Sequence, residues 1–394
     1  MASTDISTQK YSIKGLGKHD VMADLSNDEE SLLNYQMTLS KHLREKIQSR
    51  NSEIYYKRVE PQFTKNKKRK PNTRHEIRNA MLEDSAYQWW ACLRRHLQEQ
   101  GSSFKFQMID RQSEELSNTA KKYALNANLG TLELNKDVVS PMYHTAMDMH
   151  WMPGSYYSEM SEDDVFPGAM YDLGGLYIGT GGKMGPYNDG PGWAAVNWIK
   201  SNYPNFTPKD ILDEGCTVGH STLAYVKAWP NSEVVGIDFA APVLRYAHAR
   251  AESMGQKVHY KQMLAEKTEF PNDTFDLVLS SMFLHETSNK AVNELVKEAY
   301  RILKPGGLML HVEQPPFETM KTLFEQFEMD WDTHNNNEPF WGPMHDMDLK
   351  LVAENAGFDE EKIIYENCPF VIPLDDGSIK ISETGSWFLF GAWK

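Results

Sequence analysis

Ile211-Leu212-Asp213-Glu214-Gly215-Cys216-Thr217-Val218-Gly219-His220-Ser221-Thr222 is the stretch that decides the fold of this 394-residue chain. Its apolar start reads as a short buried strand, its middle as a glycine turn and its end as the first turn of a helix. Glycine at 215 and 219 lets the main chain bend sharply and lets a ligand approach where a Cβ would collide. The helix N-terminus beyond the turn offers free N–H groups and the positive end of a dipole. Glycine turns follow many strands, so the neighbouring sequence must decide whether this one holds a ligand.

That neighbourhood is informative. Ser232-Glu233-Val234-Val235-Gly236-Ile237-Asp238-Phe239 is a second apolar run, and it ends in an acid about 20 residues past the turn, where a nucleotide ribose presents its paired hydroxyls. A dinucleotide turn would read G-x-G-x-x-G, and here Thr217 occupies the middle position. Beyond it come Ala265-Glu266, Phe270-Pro271 and Phe275-Asp276-Leu277-Val278-Leu279, then Tyr300-Arg301-Ile302-Leu303-Lys304-Pro305-Gly306-Gly307. In this order and spacing the motifs resemble those of the class I S-adenosylmethionine-dependent methyltransferases. The resemblance is firm across residues 190–315 and looser towards the C-terminus.

Alternating strands and helices from residue 191 onward predict a parallel sheet covered on both faces, joined by right-handed crossovers. Strands are expected at 211–214, at 232–238, 258–262, 275–281 and 308–313, with a closing pair at 363–372 and 386–393. The resemblance implies an α/β, Rossmann-like, seven-stranded and mainly parallel sheet whose last strand is antiparallel. It also implies S-adenosyl-L-methionine as cofactor, held at Asp213, Glu214, Gly215, Cys216, Gly219, Asp238, Phe239, Leu264, Ala265, Glu266 and Ser281, with Tyr177 reaching in from the preceding segment. By that pattern the main chain near Gly215 and Ser281 holds the methionyl part. Asp238 takes the ribose hydroxyls, and Phe239 flanks the adenine. Two positions depart from the pattern: Thr217 stands where a third glycine is usual, and Leu264 where many relatives carry an adenine-reading aspartate.

Methyl transfer from a sulfonium needs alignment of donor and acceptor, and removal of a proton where the acceptor's pKa is high. His285, just past the strand at 275–281, and Glu313, at the end of the strand at 308–313, are the catalytic candidates. Tyr171, Glu286, Trp341 and His345 are the candidates for acceptor contact, and Trp341 and His345 lie in a ring- and amide-rich insert at 331–346. His334, His345, Asp332 and Asp346 lack regular ligand spacing and cysteine support, so no metal is expected.

Composition narrows the rest. A net charge of −14 argues against a broad phosphate-binding surface. Three scattered cysteines, Cys92, Cys216 and Cys368, suit a reducing compartment. With no apolar run of membrane length and no leader-like N-terminus, a cytoplasmic protein is expected. The chain divides into a loose stretch at 1–24, a mainly helical extension at 25–139, an aromatic and glycine-rich lid at 140–190 and the α/β domain at 191–394. Within the extension, Thr73 to Gln100 reads as one long helix stopped by Gly101. The extension would serve as a lid or as a homodimer arm.

The leading expectation is methyl transfer to an O or N atom of a small organic acceptor, because the lid is aromatic and enclosing. Two rivals stand beside it. One is a protein or nucleic-acid methyltransferase that docks its polymer on the basic run Lys65–Arg74. The other is a fold that binds S-adenosylmethionine without transferring methyl.

Overall fold

The computed structural model describes residues 12–374 and 377–394. Its centre is one eight-stranded sheet. The strands in chain order are β1 (Thr131–Glu133), β2 (Asp210–Glu214), β3 (Glu233–Asp238), β4 (His259–Gln262), β5 (Phe275–Ser281), β6 (Leu303–Glu313), β7 (Ile363–Pro373) and β8 (Ile379–Trp393). They lie side by side as β1-β4-β3-β2-β5-β6-β8-β7. The pairings from β1 to β6 are all parallel, whereas β8 runs antiparallel to both β6 and β7. The central strands are apolar on both faces because helices cover both: Ile211, Leu277, Leu279 and Leu310 pack with Ala195, Ile199 and Tyr225 on one side. Leu212, Val278 and Met309 pack with Val292, Leu295 and Ala299 on the other.

Strand order reverses between β2 and β5, which is where an open α/β sheet binds ligands, outside its carboxyl ends. Glu214, Asp238, Gln262, Ser281 and Glu313 are the residues that end the five strands there.

Several expectations change. The sheet has eight strands rather than seven. The additional one, β1, comes from the N-terminal extension and pairs with His259–Lys261 of β4. The Glu252 carboxylate anchors its approach by accepting from the N–H groups of Asn128, Leu129 and Gly130. The stretch 73–100 is not one helix. It divides into Arg74–Met81 and Ser85–Asp110, with Asp84 capping the second by accepting from Ala86 N and Tyr87 N. Gly101 stops nothing; it lies inside the second helix, where the buried Gln36 side chain crosses it too closely for a Cβ.

Of the stretch 1–24, residues 1–11 lie outside the described residues. The remainder is packed rather than loose: Ile13, Leu16, Val21 and Ala23 are buried against Leu33, Met170 and Leu173. Among the described residues no helix is long and apolar enough to cross a membrane. Half of the basic run is committed to the chain itself. Arg69 pairs with Glu76 and Lys70 with Glu60, while Arg74 spans Asp330 and Asp346.

Candidate active site

The turn after β2 is built by three left-handed residues, Gly215, Thr217 and Gly219, and one acid. Gly215 has φ +63 and lies so near the Phe283 ring that an added Cβ would sit 2.3 Å from it. Thr217, in the middle of the turn, also adopts φ +47. Asp238 holds this conformation from the tip of β3: one carboxylate oxygen accepts from Thr217 N at 3.1 Å, the other from Ala240 N at 2.9 Å. Burial pushes the Asp238 carboxyl up to about 6, and those backbone donors oppose the rise.

One cavity opens at this switch point. Gly215, Ile237, Asp238, Phe239, Met263, Leu264, Ala265, Glu266 and Phe283 form its floor and walls, and Pro141, Tyr143 and His144 of the lid form its roof. The His144 ring stacks on Phe239 with centroids 4.6 Å apart, and Tyr143 donates to Glu266. With the lid in this position the cavity encloses only about 20 Å³, roughly the room one water needs. A larger depression lies on the outer surface along Asp110–Lys122, far along the chain from the strand ends that make the crevice.

The other residues expected at the cofactor stand apart from that lining. Asp213 is buried beneath the turn, where it accepts from Thr222 Oγ1 at 2.5 Å, and burial raises its carboxyl to about 7. Glu214 is fully buried with neither oxygen hydrogen-bonded, and burial drives it well above the carboxylate range. Cys216 packs in an apolar cluster with Leu244 and Tyr260, and Gly219 begins the helix His220–Ala228. Ser281 pairs its hydroxyl with Tyr225. Tyr177 is the clearest displacement: it packs against the 12–17 segment, close to Gly15 and Ser12, and not in the cavity.

Beside the cavity lies a dense polar cluster. Glu313, fully buried at the end of β6, accepts from Phe283 N, Leu284 N and His285 Nδ1 at 2.7–2.9 Å. Burial works to lower the His285 pKa, yet the carboxylates of Glu313, Glu338 and Glu286 overcome it and hold the ring at about 9. Trp341 meets His285 edge-on at 4.7 Å, and His345 lies parallel to it at 6.4 Å with neither of its own ring nitrogens hydrogen-bonded. Glu286 Oε1 lies 2.6 Å from His150 Nε2 and accepts from Tyr156 Oη at 3.3 Å. Burial opposes its ionisation, but His150 holds Glu286 down at about 2. Tyr171 packs between Tyr156 and the His220 ring.

The structure thus brings His285, Glu313, Glu286, Trp341 and His345 together, with Tyr171 reached through Tyr156. It adds Phe283, Tyr143, His144, His150, Tyr156 and Glu338, which were not singled out as site residues. The signal that could have found most of them is the crowding of aromatics and histidines at 142–157.

Residues 211–307 match the model of a methyltransferase domain. A demethylmenaquinone methyltransferase of Thermus thermophilus is 37% identical over 111 residues, covering 28% of this chain and 49% of that protein. A malonyl-[acyl-carrier protein] O-methyltransferase of Coxiella burnetii is 28% identical, covering 43% and 57%. A solved S-adenosylmethionine-dependent methyltransferase from Methanosarcina mazei is 23% identical, with TM-score 0.36 and coverage of 50% and 96%. The chain spans about half the length of the curated relatives it matches. Across residues 211–307 the chain is thus similar to methyltransferase domains.

Proposed function

We propose that the protein transfers the methyl group of S-adenosylmethionine to an oxygen or nitrogen atom of a small organic acceptor by in-line displacement. One observation carries the reading: Gly215, Asp238, Phe239 and Ala265-Glu266, from three separate loops, line a single cavity at the switch point under aromatic lid residues. Asp238 takes the ribose hydroxyls, Phe239 flanks the adenine, and the glycine turn admits the methionyl chain. The present cavity is too small for a nucleoside, so donor binding moves the lid segment 141–144 and separates His144 from Phe239. When bound, the donor supplies an activated methyl on sulfur. The chain's own task is to align the acceptor and exclude water.

The acceptor enters on the side of Tyr171, Glu286, Trp341 and His345. His285, steered through Nδ1 by Glu313, takes the acceptor's proton in its neutral form, which predominates above its pKa of about 9. The names of the relatives, a demethylmenaquinone and a malonyl-carrier methyltransferase, support an organic acceptor group of modest size. The helical extension acts as a cover rather than a dimer arm. Helix Ser85–Asp110 grips the lid directly: Ser102 donates to His150 O, and the Arg95 guanidinium lies 4.4 Å from the Trp151 ring centre.

Calorimetry with S-adenosylmethionine tests the reading. Wild type binds the donor, and Asp238→Ala weakens binding about 10-fold or more, as expected for loss of charged hydrogen bonds. Transfer of labelled methyl into a small-molecule extract accompanies it. Normal donor affinity in a folded Asp238→Ala protein overturns the assignment.

A further inference from the structure

Three segments far apart in sequence bring His150, Glu286 and Glu338 together, and a ligand atom from each lies within 4.8 Å of the other two. His150 comes from the lid, Glu286 from the loop after β5 and Glu338 from the 331–346 insert. His150 Nε2 is 2.6 Å from Glu286 Oε1, and His150 Nδ1 is 3.6 Å from Glu338 Oε1. The two carboxylates are 7% and 2% exposed. Glu286 Oε2, the other oxygen of its carboxylate, is buried and accepts no hydrogen bond. Asn336 donates to Glu338 Oε2 and touches His150 Nδ1, fixing the direction of both. Three carboxylates (Glu286, Glu313 and Glu338) share this largely buried cluster with the imidazoles of His150 and His285.

We infer that His150, Glu286 and Glu338 form a binding site for one divalent first-row metal ion. One imidazole and two carboxylates are the donor mix of Mn²⁺, Fe²⁺ or Zn²⁺ rather than of Ca²⁺ or Mg²⁺, which prefer oxygen alone. Asn336 occupies His150 Nδ1, so Nε2 is the nitrogen left for the ion beside Glu286, and the Glu338 carboxylate turns from the Nδ1 side to complete the set. Tyr156 and His285 stand behind the ligands as orienting groups. The ion pins the lid to the insert and leaves open positions for an oxygen of the acceptor. A second grouping, His75, Asp330 and His334, is a weaker candidate, because the Arg74 guanidinium already lies 3.1 Å from Asp330.

The acceptor position rests on the methyl-transfer reading, but binding of the ion itself is tested without donor. Chelator-treated full-length protein is titrated with Mn²⁺ and followed by electron paramagnetic resonance, then with Zn²⁺ by calorimetry. The expected result is one ion per chain, with affinity lowered at least about 10-fold by Glu338→Gln and further by His150→Ala, and unchanged in His75→Ala. Urea midpoints of the variants confirm that they are folded, and His150, partly exposed, tolerates truncation. No binding at millimolar metal, or binding that Glu338→Gln and His150→Ala leave intact, overturns the inference. Donor affinity measured on the same samples separates this failure from failure of the cofactor assignment.

Discussion

Replacing Asp213 by asparagine should stabilise this protein at alkaline pH, even though the residue belongs to the motif that defines the fold. The carboxylate is 2% exposed, and it accepts one hydrogen bond from Thr222 Oγ1. Burial raises its pKa to about 7, against about 3.9 in an unfolded chain. A carboxyl whose folded pKa is raised contributes full stability below the unfolded value and loses it as pH climbs through the folded value. Linkage over those two values gives a penalty of about 1.5 kcal/mol at pH 5 and about 4 kcal/mol at pH 8. The asparagine amide keeps an acceptor for Thr222 and carries no charge. The stability difference between variant and wild type should therefore grow in the variant's favour by about 2–3 kcal/mol from pH 5 to pH 8. Urea unfolding of both proteins at half-unit pH steps measures it, with unchanged m-values as the check on two-state behaviour. A difference that stays flat with pH, or a variant less stable than wild type at pH 8, would refute the reasoning.

Two further outcomes follow from single contacts. Gly215→Ala combines a left-handed backbone with a methyl 2.3 Å from the Phe283 ring, so it should cost about 2–4 kcal/mol in urea unfolding; a loss under about 1 kcal/mol would mean that Phe283 moves aside freely. Arg74→Ala removes the guanidinium that joins buried Asp330 to Asp346 and lies 4.1 Å from the Phe317 ring centre. It should destabilise by about 1–3 kcal/mol, whereas a change within about 0.5 kcal/mol would show that the basic run is not committed to the fold and return it to the surface.

Much of the α/β domain could be read residue by residue, because its cues are local. Buried parallel strands such as Ile211–Glu214 and Phe275–Ser281 are apolar runs bounded by turn residues, and the helix Asn289–Ile302 has its apolar residues on one side and Ser288 as cap. The break at Leu82–Asp84 was hidden because helical periodicity continues across it; only the Asp84 side chain, turned to cap Ala86 and Tyr87, marks the new start. Strand β1 was hidden for the opposite reason. Thr131-Leu132-Glu133 has almost no pattern of its own and becomes a strand only because the edge of β4 is there to pair with it.

By itself the sequence determined the succession of β2 to β8 along the chain, the glycine turn and the acid at the tip of β3, and the resemblance these carry implied the class of cofactor. Those features lie within short spans, where spacing along the chain and position in space are nearly the same thing. Tertiary structure alone decided which motif residues face the cavity and which lie under it. It separated Asp238, in the lining, from Asp213 and Cys216, buried behind, and it turned Tyr177 towards the 12–17 segment. It also joined His150, Glu286 and Glu338 from three distant segments of chain. No local pattern specifies such a meeting, because the packing of lid on sheet, rather than any property of the separate segments, brings those side chains within reach of one another.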